Sequence, residues 1–443
     1  MSGMKLELLA PLILSCFAVG GCRIEDEEHF SKVAATLPSV KLEAEKQGVV
    51  TSAEKLQELV DKDATGREWA VVDAAVESYS KAALGFGLNM DTMTRISRNL
   101  PADRAFNSQK FELISPKLDE VVKALGGKHV RIYRDWASKS VFDLVVFPEY
   151  TEIKIAVRML TLRAVWHSSF GRKANAISDL RAAQLLGNIS NSDPTMISHM
   201  VAVACDSIAS KGWENCLAIL KADQDFINRS RPFMDGSSQK YGYFNVAGEI
   251  LFKLETFQYI GKPEMKGIFT DEENKEVPLP NVKPDILRAA YTVRAIESNF
   301  VIKKAYEMKG FKESDALLKS FEAKITASKD KSLHFEQENI ELFTSVNNVR
   351  FTSQNLAKCR LAMMDVLTFK NKNGRYPKSL EDAGVKILDA FTGEPFKYKL
   401  TPNGAVVYSV GQDMVDNGGE SKSVDGQRDI VITYPYLPDQ RDN

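Results

Sequence analysis

The chain has little of what most catalytic sites are built from. It holds only five histidines, His29, His129, His167, His199 and His334, and they are scattered. None stands at the spacing of a zinc-binding helix or a paired imidazole site. No glycine-rich phosphate loop occurs. Positive and negative side chains nearly cancel, at 58 against 59, so there is no electrostatic case for a nucleic-acid partner. The one long apolar run near the start, about Leu8 to Val19, is shorter than the ~20 residues that span a bilayer. Cysteine is scarce. Besides Cys16 in that run and Cys22 just after it, only Cys205, Cys216 and Cys359 remain. An odd set does not read as a disulfide framework. On one helix Cys205 and Cys216 would lie roughly 16 Å apart, too far to bridge, so they are expected as small buried residues.

What is present begins with a leader. Lys5, an apolar middle and small residues before a cleavage point have the layout of an export signal. The segment "VGGC", Val19 to Cys22, resembles the bacterial lipoprotein box. That resemblance implies a diacylglyceryl group on the Cys22 thiol, cleavage before Cys22 and acylation of the new amino group. A chance cysteine after an ordinary signal peptide is the alternative. Several acyl chains hold a protein firmly at a bilayer. Arg23 stands where enterobacterial inner-membrane lipoproteins carry aspartate, which points to the periplasmic face of the outer membrane rather than the inner membrane.

The mature length allows about two or three domains at ~150 residues each, and 44% hydrophobic with 26% charged residues is ordinary globular composition. The pattern divides the chain into a signal peptide (1–21), an anchor and tether (22–48), a helical domain (49–345) and a small α+β head (346–443). The fold class is therefore mainly α, in αα-hairpins, with an antiparallel sheet at the end. Three successive helices are expected between Glu149 and Ala204, from apolar residues at three-and-four spacing. Gly171 reads as a C-cap, and Ser192 and Asp193 before Pro194 read as a helix start. The stretch Gly171 to Leu180 resembles a tetratricopeptide second helix, but no repeat near 34 residues accompanies it. A short sheet over "HVRIYRDW" and "SVFDLVVFP" is also expected, and Ile268 to Asp285 reads as a loop.

Candidates for catalysis are thin. Ser168 follows His167, yet neighbours on a helix do not face each other and no nucleophile elbow surrounds them. Glu149 and Glu152 share a helix face, where paired charges usually mark a solvated surface.

The C-terminus carries more. A helix from about Thr352 to Asn373 would place Leu356, Cys359, Met363, Val366, Leu367 and Lys370 on one side. Gly374 ends it and Ser379 caps a short turn. Phe396, Tyr398 and Leu400 alternate with Lys397 and Lys399, a half-buried strand. Asn403-Gly404 signals a hairpin, "AVVYSV" returns, and "DIVITYP" reads as a third strand. Between them lies "GQDMVDNGG", acidic and glycine-rich.

This order of helix, "NGRYP", "DAFTGEPFKY", hairpin, "YSVGQD", acidic loop and "DI" resembles the soluble head of the type II secretion major pseudopilin. The likeness covers about 90 residues. The whole chain is also similar to exported lipoproteins of planctomycete-like bacteria that carry such a head behind a helical middle. Two departures stand out. The prepilin peptidase site and long apolar helix of a pseudopilin are missing, and Ala390 replaces the proline usual after that aspartate. The resemblance implies a calcium site, carried over to Asp413 and Asp429, with Asp416 and Asp425 in a segment of variable length. Calcium takes six to eight hard oxygen ligands, and Gly411, Gly418, Gly419 and Gly426 would turn carbonyls inward. A solvated Asp/Asn/Gly turn is the plain alternative. The expected function is a non-enzymatic envelope lipoprotein, held to the lipid bilayer through Cys22, whose head makes protein contacts. Alternatives are an accessory component of a type II secretion or type IV pilus-like machine, docking on pseudopilins, and a hydrolase or ligand-binding protein with a site in the helical domain.

Overall fold

The computed structural model describes residues 24–62, 67–88, 104–144, 147–236, 242–263, 279–337, 340–420 and 429–435, together with 92, 95 and 96. The chain is mainly helical with a small antiparallel sheet. Its helices are α1 (Ile24–Ala35), α2 (Leu37–Gln47), α3 (Ala53–Asp61), α4 (Ala70–Gly85), α5 (Arg104–Leu125), α6 (Pro148–Ser169), α7 (Lys173–Ile189), α8 (Met196–Ile219), α9 (Gln224–Met234), α10 (Glu249–Phe257), α11 (Pro284–Glu307), α12 (Phe311–Thr326) and α13 (Ile340–Asn373). Two-residue strands β1 (Arg67–Glu68) and β2 (Val130–Arg131) pair in parallel. Strands β3 (Lys397–Thr401), β4 (Gly404–Ser409) and β5 (Ile430–Tyr434) form a sheet in the order β3-β4-β5.

The three expected central helices form as α6, α7 and α8, and they pack closely because small residues stand at their crossings. A methyl group added at Gly212 would lie 2.0 Å from the Thr161 methyl, and one at Gly187 would lie 2.6 Å from Cys205 Cβ. Gly171, at φ +69°, follows α6 as expected. The start of α8 differs from the expectation. Residues Ser190–Ser192 make a 3-10 turn, Pro194 stays outside the helix, and Thr195 is the cap, its side chain accepting from Ser198 N at 3.3 Å. Ser198 Oγ in turn donates to the carbonyls of Ser190 and Asp193. Of the sheet expected near residue 130, the described residues form only β2, and Val145 and Val146 lie outside them. Val141–Leu144 is a short helix, closed by the Glu255 carboxylate, which accepts from Ser140 Oγ and Val141 N.

Among the described residues there are three large apolar cores and a small cluster of Phe311, Phe351 and Phe391. The first joins α1–α3 to α10–α12 around Phe30, Tyr291, Phe335 and Phe343. The second lies among α4–α8 around Tyr79, Phe111 and Leu160. The third takes Trp213, Cys216 and Phe226 from the helical region together with Met363, Leu367, Phe396, Val407, Ile432 and Tyr434 from the C-terminal region. Burying each such large apolar side chain stabilises the fold by roughly 1.5–3 kcal/mol.

Two boundaries read from the sequence meet this packing. The expected tether over 22–48 is, from Ile24 on, a pair of docked helices, with Phe30 and Ala44 fully buried. The expected division at 345/346 falls inside α13, one continuous helix of 34 residues. From Ala357 to Leu367 that helix is buried on both sides. Cys359, Met363, Val366 and Leu367 are covered as expected, while Arg360, Ala362 and Met364 are covered by other elements as well.

In the sheet, Phe396 is buried but Leu400 is 55% exposed, because β3 is an outer strand and Leu400 lies near its tip. The hairpin loop is Pro402-Asn403, one residue earlier than the Asn-Gly signal, since Gly404 already pairs with Thr401. Gly404 is needed for room. A Cβ there would lie 1.8 Å from Tyr434 O. Ala390, in place of the expected proline, donates its amide to Asn355 Oδ1 at 2.8 Å, a bond that proline could not make. Gly404→Ala is expected to push β5 off β4 and cost about 1–3 kcal/mol, read as a lowered midpoint in urea unfolding; an unchanged midpoint would show that the strand yields freely.

Candidate cation loop and buried charged interior

The acidic loop leaves β4 and folds back over the outer face of the sheet. Asp413 Oδ1 accepts from Val415 N at 3.1 Å, and Asp413 Oδ2 is buried without a hydrogen-bond partner. Asp416 Oδ1 accepts from Tyr408 Oη at 3.0 Å and from Gly418 N at 2.9 Å, and its Oδ2 lies 3.8 Å from Lys397 Nζ. Asp429, 3% exposed, accepts from Gly419 N at 2.6 Å and Asn417 N at 3.4 Å. Gly418 and Gly419 sit at φ +73° and +74°. At these two glycines the loop thus presents amide N–H groups to the carboxylates, whereas carbonyls were expected to turn inward. Burial pushes the Asp429 carboxyl up. The Gly419 and Asn417 amides oppose this, and Asp416 and Asp413 add to it by repulsion. Burial and the bond to Asp416 push the Tyr408 hydroxyl up to about 12.

The structure therefore brings Asp413, Asp416 and Asp429 into one electrostatic neighbourhood. Among the described residues, no group of three or more His, Cys, Asp or Glu side chains is placed to hold a metal ion. The chemistry fits a hard cation at one point, the unpartnered Asp413 oxygen beside two mutually repelling carboxylates. Asp425 and Cys22 lie outside the described residues.

The interior holds charges that sequence patterns did not pair. Arg360, fully buried, grips Asp206 with Nη1–Oδ2 at 2.9 Å and Nη2–Oδ1 at 3.1 Å, and donates Nε to Met234 O. Arg163 holds Asp179 in the same two-pronged way, at 2.6 and 2.9 Å, and reaches Asp119. Burial pushes the Asp179 carboxyl up to about 6 against the pull of Arg163. Arg134 links Asp193 and Glu149, and Tyr150 Oη donates to the same Asp193. One signal for these was visible. Arg163 and Arg360 each interrupt an otherwise apolar run, and a charge there needs a buried partner.

Arg350 differs. It is 2% exposed, donates to Tyr306 O and Ser314 Oγ, and leaves Nε without a partner. Its guanidinium lies over the rings of Phe351 and Tyr306, at 4.4 and 5.0 Å. Burial pushes it down to about 10.

Ser168 Oγ donates to Ala164 O, one turn back. Burial and Arg163 push His167 down to about 4, so it stays neutral against the helices. His199 and His334 are likewise pushed down to about 4 by burial. Glu149 is paired to Arg134, and Glu152 is raised by burial and by Asp73, Glu77 and Glu149. Cys205, Cys216 and Cys359 are buried and free, with the first two thiols pushed up to about 12 by burial. Two open grooves are present. One of about 470 Å³ lies between α2, α10 and α11 beside Lys41, Lys139 and Arg288, and one of about 590 Å³ lies beside Lys303 and Lys304. Neither is lined by residues of α6, α7 or α8.

Removing one partner of a buried pair strands the other, at about 3–5 kcal/mol. Arg360→Met is expected to cost that much by leaving Asp206 bare, whereas Arg350→Met strands only the neutral acceptors Tyr306 O and Ser314 Oγ and should cost less, about 1–3 kcal/mol. Urea unfolding of the two variants checks the contrast, and equal losses would contradict it. No protein-family model, curated protein or solved structure matches the chain.

Proposed function

We propose that this chain is a non-enzymatic lipoprotein of the cell envelope that holds a pseudopilin-like head in place for contacts with another protein. One observation carries the reading. The inner face of the sheet is committed to the third core, while β3 is left as an outer edge with Leu400 (55% exposed) and Leu388 (49%) beside it. A free strand edge with apolar neighbours can accept a partner strand. Arg360, Arg163 and Arg134 fit the same reading, since each is held in a buried or largely buried ion pair that joins separate segments of the fold. The anchor rests on the likeness of Val19–Cys22 to the lipoprotein box. A second reading is favoured by the order of the hairpin and acidic loop: an accessory factor of a type II secretion or pilus-like machine, with pseudopilins as the partner.

In cells, wild-type chain is expected in the membrane fraction and Cys22→Ser in the soluble fraction. A photoreactive residue at Leu400 should give a discrete adduct only in the anchored protein. An adduct to a pseudopilin would favour the second reading, and no adduct at all would overturn the contact role.

Calcium belongs to this proposal as a structural ion. Asp413, Asp416, Asp425 and Asp429 would hold it, and it would neutralise their repulsion and pin the loop to the sheet. Millimolar calcium is then expected to raise the melting temperature of the full mature chain, and Asp413→Ala to abolish that rise. A rise that persists in the variant would move the ion elsewhere, and no rise in wild type would make the loop a hydrogen-bonded turn only.

A further inference from the structure

The start of the described chain is fastened, which matters for an anchor two residues away. Asp26 pairs with Lys331 at 2.8 Å, His29 with Asp330 at 2.7 Å, and Glu27 lies 3.9 Å from Lys283. Asp330 also accepts from Arg294 at 2.8 Å. Phe30 is fully buried and meets the Tyr291 ring edge-on at 5.7 Å. The first turns of α1 are thus held on the N-terminal half of α11. Cys22 and Ile24 are separated by two peptide units, which reach at most about 7 Å.

The head lies at the other end of α11. Tyr306, in its last turn, receives Arg350 of α13 on its carbonyl. Just beyond, Phe311 N donates to Ala390 O, and the Phe311 and Phe391 rings meet at 4.6 Å. Tyr306 is 12 residues from Arg294 and 23 from Lys283, or about 18 to 35 Å along the helix.

We propose that the face made by the start of α1, the Asn281–Lys283 turn and the Ser328–Lys331 turn rests directly on phospholipid headgroups, and that α11 acts as a strut holding the head away from the bilayer. The inference deepens the anchor reading and rests on it. With acyl chains on Cys22, about 7 Å of chain leaves no room for a free tether, so the body takes one side to the membrane. Lys329 is exposed on that side, and Lys283 and Lys331 stand beside it with Glu27 and Asp26 as neighbours, a zwitterionic surface that suits zwitterionic headgroups. The consequence is a head presented at a set height and orientation, unlike a head on a flexible leash.

The test uses the full chain purified from membranes and placed in phosphatidylethanolamine–phosphatidylglycerol vesicles carrying headgroup nitroxides. Fluorophores are attached at Lys329→Cys or, on the head, Glu381→Cys. The native thiols are buried, so they label slowly. Mass spectrometry of the N-terminal peptide first establishes acylation of Cys22. The nitroxides are expected to quench the Lys329→Cys probe several-fold and leave the Glu381→Cys probe unquenched. A flexible Gly/Ser insert between Arg23 and Ile24 should abolish the difference. Absence of acylation would overturn the anchor reading and this inference with it. Acylated protein with equal quenching at both probes would overturn only the seated orientation.

Discussion

The Arg360–Asp206 pair is the constraint on which the arrangement of the two halves depends. It joins residues 154 positions apart and lies wholly inside the protein, with 0% and 2% of the side chains exposed. Asp206 is on α8, and its Oδ1 also accepts from Gln184 of α7 at 2.9 Å. Arg360 is on α13 and also caps the end of α9 through Met234 O. One guanidinium therefore locks four helices in register. Such a pair gains little over apolar packing, but half of it is very costly. It acts as a specificity device: α13 can dock in one rotation and one height, because any other strands two charges.

That docking changes what the C-terminal region is. Its helix and three strands could be read as a module joined to a helical body by a boundary. Instead α13 is buried on both sides through its middle, and the third core draws residues from both regions. Asn355 shows how tightly they interlock. It binds Asp389, Ser409 and the Ala390 amide, and Ala390 in turn accepts from Phe311 of α12. The other helices of the same molecule cover α13, and among the described residues β3 stands as an outer strand of the sheet.

Parts of this were legible from local pattern. The helices α6 to α8, the Gly171 stop, the hairpin and the burial of Cys359, Met363 and Leu367 follow from periodicity and caps, which report which face of a segment is covered. Other parts failed for identifiable reasons. Thr195 took the cap from Ser192 and Asp193 because Asp193 is needed by Arg134 and Tyr150 in the interior. "SVFDL" reads as a strand by its β-formers, yet Glu255 caps it into a helical turn. The loop glycines were expected to offer carbonyls, and at Gly418 and Gly419 they offer amides. Composition gives flexibility without saying which side of the peptide turns in.

The sequence alone determined the mainly helical class and the small antiparallel α+β unit at its end. These depend on spacing over a few turns and on residue chemistry, which are local quantities. Only the tertiary structure decided which arginine meets which carboxylate, where the expected tether becomes α1, and that β4 is the central strand of the sheet. Those outcomes depend on contacts between different elements, 154 positions apart for Arg360 and Asp206, and the burial of a charge is settled only when the last helix closes over it.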